Sequence, residues 1–222
     1  MTSLLLLAAI FGATALWLTW ATVQAHKARA AARAGYFREV EPLFDAVMTR
    51  IQPTGFARMT AHFNDTAFDL QATPDSLTFR KLPALWVMLT LPAPMPVKAT
   101  LDIMARPAGN EPFSQFANLP QSLPCPPGLP EGTALRSDDA SGVPPLELIA
   151  PHLAMFGDPK VKELVISPKG LRLVILADEA ERGRFLIFRD AEVGMSPLPA
   201  VRMTPLISAL IALRDTLTKA PQ

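Results

Sequence analysis

Glu163-Leu164-Val165-Ile166-Ser167-Pro168-Lys169-Gly170-Leu171-Arg172-Leu173 is the stretch that decides how the body of this chain folds. Apolar residues recur at period two on both sides of Ser167-Pro168-Lys169-Gly170, the pattern of strands with one buried face. Serine first, proline second and glycine fourth suit a type I turn, because proline presets φ at the second position. An antiparallel hairpin is therefore expected. Ninety-four residues earlier, Asp69-Leu70-Gln71-Ala72-Thr73-Pro74-Asp75-Ser76-Leu77-Thr78-Phe79 repeats the same order of residue types without a gap. That echo predicts a second hairpin with its turn at 73–76, in which Leu70 and Leu77 match Leu164 and Leu171. It is read either as an internal duplication or as convergence on one turn chemistry.

Outward from these stretches, residues 54–106 form a first β-rich half, with period two at Leu101, Ile103 and Ala105 and an apolar run at 85–91 that suits a central strand. Residues 107–145 hold nine prolines and four glycines, and proline cannot supply ladder hydrogen bonds, so an extended, irregular connection dividing the body is expected. Phe113 and Phe116 could pin it to a core. The second half, 146–222, reads as a short helix at 151–156, strands at 161–167, 171–177 and 184–189, and a final helix capped by Thr204 with Pro205 in its first turn. The apolar arc of that helix is Leu206, Ile207, Leu210, Ile211, Leu213 and Leu217, so it should cover the sheet.

Toward the N-terminus the chemistry changes. Residues 1–25 carry no charge, and 4–23 are twenty largely apolar residues, which at about 1.5 Å per residue span roughly 30 Å, the thickness of a hydrocarbon core. A transmembrane anchor is expected, with Trp17 and Trp20 placed for an interfacial belt. A cleaved secretory signal is the alternative, weakened by the missing basic n-region and the length of the run. Ala8 with Gly12 and Ala9 with Ala13 are spaced by four, a small-residue side on which another helix could pack closely. Lys27, Arg29, Arg33 and Arg38 follow the span, and basic flanks stay on the cytoplasmic side. The body is therefore expected to be cytoplasmic and carried by a cell (inner) membrane, with a periplasmic body as the alternative. Residues 26–53 read as a basic juxtamembrane segment and an amphipathic helix through Tyr36, Phe37, Val40, Leu43, Phe44, Val47 and Ile51.

Beyond those four cations, residues 39–222 hold 17 Lys and Arg against 20 Asp and Glu. A mildly acidic body lacks the electrostatic footprint of nucleic-acid binding. One cysteine, Cys125, excludes an internal disulfide. His26, His62 and His152 are scattered, and His62 with Asp65 and Asp69 is the nearest approach to a metal group, at spacings that do not share a strand face. Neither GxSxG, GxGxxG nor GxxxxGK occurs. The acidic Asp178, Glu179 and Glu181 beside Arg182 and Arg184 read as a solvated hairpin tip.

The fold class expected is α+β: an N-terminal transmembrane helix, then a mainly antiparallel β body with two hairpin-containing halves and a C-terminal covering helix. The expected function is a non-catalytic accessory or assembly subunit of a membrane protein complex, with no cofactor. A membrane-tethered ligand- or peptide-binding regulatory module is the alternative. Membrane and partner contacts are expected at Ala8, Ala9, Gly12, Ala13, Trp17, Trp20, Lys27, Arg29 and Arg33. The partners expected are the lipid bilayer and other membrane proteins, with a small molecule or peptide under the alternative.

Overall fold

A computed structural model of the chain describes residues 2–76, 82–109, 111–188 and 192–220. Its first element, helix α1 (Thr2–Ala34), runs for 33 residues, about 50 Å at the α-helical rise. The hydroxyls of Thr14, Thr19 and Thr22 each donate to the carbonyl four residues earlier at 2.8 Å, so these three hydroxyls are satisfied without water. From Leu5 onward the helix is long and apolar enough to cross a membrane, the one such helix among the described residues.

Among the described residues the body is one nine-stranded antiparallel sheet in the order β1-β2-β3-β4-β9-β8-β5-β7-β6, with a C-terminal helix on one face, so the α+β class expected from sequence is what is found. Its strands are β1 (Asp45–Ile51), β2 (Ala57–Phe63), β3 (Thr66–Asp75), β4 (Ala84–Leu91), β5 (Leu101–Ala105), β6 (Gln121–Leu123), β7 (Thr133–Ser137), β8 (Val161–Ser167) and β9 (Gly170–Glu179). Leu70, Leu85, Val87, Leu89, Leu101, Ile103, Leu164, Ile166, Leu171 and Leu173 form the inner face and are fully buried or nearly so. Against them pack Met203, Leu206, Ile207, Leu210, Leu213 and Leu217 of α4 (Ala200–Lys219), together with a short helix α2 (Leu146–Ile149) that tightens into a 3-10 turn at Ala150–Gly157.

The hairpin at 163–173 forms as read, with Ser167 opposite Gly170 and Gly170 at φ 142 where a Cβ would meet the Leu91 carbonyl. Its echo does not. Thr73, Pro74 and Asp75 continue β3 and pair with Trp86, Leu85 and Ala84, so no turn lies at 73–76. Proline is tolerated there because the β2 partner stops at the Arg58–Gln71 pair, leaving Pro74 flanked on one side and its missing N–H unneeded. Leu70, Leu164 and Leu171 face the core as expected, while Leu77 lies outside the described residues.

Three further expectations are corrected. Residues 36–51 are not an amphipathic helix: α1 ends at Ala34, 3-10 turns carry Tyr36, Phe37 and Val40 into the core, and 45–51 is the edge strand β1, whose pairing with β2 overrides the helical spacing. The strand expected at 184–189 is not found over 184–188, which belong to a short helix α3 (Arg182–Phe188), and Arg189 lies outside the described residues. Helix α4 begins at Ala200, four residues before Thr204, and Pro205 sits inside it on the exposed side.

The Pro-rich connection 107–145 contributes β6 and β7 to the sheet and lays Phe113 and Phe116 over Trp86, Met88, Met104, Ala134 and Val174 on the outer face. Both aromatics therefore do pin it to a core.

Candidate functional site

Two places combine charge, burial and unusual placement: the junction where α1 meets the body, and a carboxyl pair under the Pro-rich cover.

At the junction the helix passes into the core with no spacer. The Gly35 N–H donates to the Ala31 carbonyl at 2.9 Å, continuing the helical bonding, and the next two residues, Tyr36 and Phe37, are 2% and 1% exposed. Tyr36 meets Phe37 and Phe56 edge-on at 5.4 and 5.6 Å, and its carbonyl accepts from the Leu198 N–H. Burial raises the pKa of the Tyr36 phenol, keeping it neutral. The Arg33 guanidinium lies over the Phe56 ring at 5.4 Å, and Arg29 pairs with Glu192 at 2.9 Å. Two of the cations that sequence assigned to lipid thus also hold the body to its helix, and nothing in their spacing reveals this second role. Lys27 is exposed on α1. Ala8, Ala9, Gly12 and Ala13 are exposed on the apolar part of the helix, as are Trp17 and Trp20.

The second place was not legible in sequence. Asp102 on β5 and Glu163 on β8 lie on the outer face, 2% and 0% exposed. Glu163 Oε2 accepts from Arg172 Nη2 at 3.2 Å and Oε1 accepts from the Ser114 hydroxyl, which in turn accepts the Phe116 N–H at 3.0 Å. Desolvation, then the Glu163 charge, push the Asp102 carboxyl up to about 8, so it holds a proton and donates it to Glu163. Burial raises Glu163 as well, offset by Arg172, Ser114 and Asp102. Lys162 ties the same cover down through Glu111 at 3.3 Å and the Ala105 and Arg106 carbonyls. A groove of about 700 Å³ runs beside the pair, lined by Thr90, Asp102, Gln115, Asp138, Lys169 and Arg172 among others. Asp102 Oδ1 and Arg172 Nε are buried and have no hydrogen-bond partner. The arrangement is a polar staple for the Pro-rich segment.

The other sequence candidates do not gather into a site. Asp69 is taken by Arg58 at 2.8 to 3.0 Å, and no group of three or more metal-ligating side chains forms among the described residues. His152 Nε2 is 2.9 Å from the Thr216 hydroxyl, and burial lowers its pKa. Asp178 and Glu181 are not at a hairpin tip: Asp178 accepts the Gly194 N–H at 2.8 Å, and Glu181 accepts the Gly183 and Arg184 N–H groups that begin α3. Cys125 is exposed. No protein-family model and no curated protein sequence matches the chain.

Proposed function

We propose that this protein is a single-pass accessory or assembly subunit of a membrane protein complex, anchored in a cell (inner) membrane by α1 with its body on the cytoplasmic side. The observation that carries the reading is the junction. A tethered module that must search for substrate tolerates a flexible linker, whereas here one residue, Gly35, separates the helix from two fully buried core aromatics. Such a joint fixes the angle and height of the body over the bilayer, which matters to a protein that must meet a partner in one geometry.

The apolar helix supports the anchor: Leu5, Ile10, Phe11 and Leu16 are all more than half exposed and need an apolar solvent. Its side with Ala8, Ala9, Gly12 and Ala13 supports another transmembrane helix as the partner. The ligand- or peptide-binding alternative draws no support from an internal duplication, because the second turn expected at 73–76 is absent.

A Gly-Ser linker of about ten residues inserted between Ala34 and Gly35 keeps anchor and body but frees their mutual orientation. Purified in mild detergent, the native chain is expected to carry stoichiometric membrane proteins that the linker variant loses. A native chain that runs alone, or a linker variant that keeps its partners, would sink the proposal.

A further inference from the structure

The sheet has two ends, and α1 joins the body at one of them. Tyr36 and the β1–β2 turn lie there, as do the start of β4, the end of β9, the segment 192–198 and the first turn of α4. At this end the chain leaves β9 as the short helix α3. Phe185 is buried and ties α3 to the body, while Leu186 and Ile187 turn outward at 60% and 74% exposed. Met195 and Val201, at the same end, are 40% and 81% exposed. Arg182 and Arg184 lie on exposed α3 positions beside these apolar side chains.

The height of this patch follows from α1. Arg29 lies six residues beyond Val23, the last apolar residue of the run, a rise of about 9 Å. Glu192 is held to Arg29 at 2.9 Å, so the segment that follows α3 sits at the level of lipid headgroups. Basic residues mixed with exposed Leu and Ile at that depth match an interfacial surface: apolar side chains enter the headgroup and acyl boundary while arginine meets anionic lipid.

We propose that α3, through Leu186 and Ile187 with Met195 and Val201 beside them, lies on the bilayer as a second membrane contact, a foot that holds the rigid body upright on its anchor. This rests on the reading of α1 as a membrane anchor. A second copy of the chain or a protein partner is the competing occupant.

The test uses the full chain with Cys125→Ser, reconstituted in vesicles of phosphatidylcholine and phosphatidylglycerol, with one bimane label at a time on Leu16→Cys, Ile187→Cys or Lys169→Cys. Lys169 is exposed in the β8–β9 turn at the far end of the sheet, roughly 30 Å away by the length of β9. Lipid carrying bromine on its acyl chains is expected to quench the labels at 16 and 187 and to leave 169 unchanged. Quenching at 16 without quenching at 187 overturns the foot and leaves the anchor standing. No quenching at 16 overturns the anchor and the foot with it. A label at 187 shielded from aqueous iodide but untouched by brominated lipid shows a protein occupant, and also overturns the proposal.

Discussion

Asp102 is a carboxyl that the fold keeps protonated, and that has a consequence for stability. Its ordinary value is 3.8 and burial beside Glu163 lifts it to about 8. Between those two values the folded chain holds a proton that the unfolded chain has released, so stability falls as pH rises from about 4 to about 8 and is level above. Asp102→Asn cannot ionise, yet its amide can still donate to Glu163. The variant is expected to melt with the native protein near pH 4 and to be more stable at pH 8 by a margin on the order of a few kcal/mol. Glu163 is raised in the same direction, so some slope should persist in the variant. Thermal unfolding of the detergent-solubilised chains across that range checks this, and parallel curves for the two proteins would refute it. No spacing in the sequence announces the pair. Asp102 and Glu163 are 61 positions apart and meet because β5 and β8, far apart in the chain, become neighbours in the sheet.

Elements were legible where local pattern and tertiary context agree, and illegible where context overrode pattern. Strands β4, β5, β8 and β9 were expected close to their observed positions because alternating or doubly buried runs leave little choice. Helix α4 was expected too, and its arc points inward: Leu210 is fully buried between the helix and the inner face of the sheet. Leu210→Asp places an unpaired carboxylate there at a cost of several kcal/mol, a large share of a domain's stability of about 5 to 15 kcal/mol. The expected result is a body that no longer melts cooperatively, while Ser208→Asp, on the exposed side, melts as the native chain does. An unchanged melting temperature for the Leu210 variant would remove α4 from the core. The errors have physical reasons. Residues 36–44 carry apolar side chains at helical spacing because 3-10 turns also bring every third residue to one side, while Val47 and Ile51, four apart, share one face of strand β1. The apparent turn at Thr73-Pro74 failed because proline is as compatible with a strand flanked on one side as with a turn.

At the scale of the whole molecule the charge is divided. Four cations, Lys27, Arg29, Arg33 and Arg38, precede the first acidic residue, while the remainder has 17 Lys and Arg against 20 Asp and Glu. In the folded protein Arg29 is paired with Glu192 and Arg33 is stacked on Phe56, so only part of that charge faces outward. Insertion, however, acts on the nascent chain before those contacts exist, and all four cations then resist translocation. The body is therefore expected on the cytoplasmic side. Alkaline phosphatase, which folds only where disulfides form, should be inactive when fused after Gln222, and a reporter that fluoresces in the cytoplasm should be bright at the same point. Replacing all four cations with glutamine removes the retaining charge and is expected to let a fraction of chains invert, giving measurable phosphatase activity. Because Arg29 and Arg33 also lock the body to α1, the informative intermediate is Lys27→Gln with Arg38→Gln, which leaves the Glu192 and Phe56 contacts intact. A partial gain in that double variant, smaller than in the fourfold one, is the result expected of a graded charge effect. Strong phosphatase activity from the native fusion would place the body on the other side and overturn the sidedness, leaving the α1 junction and the α3 foot to be read against the opposite leaflet.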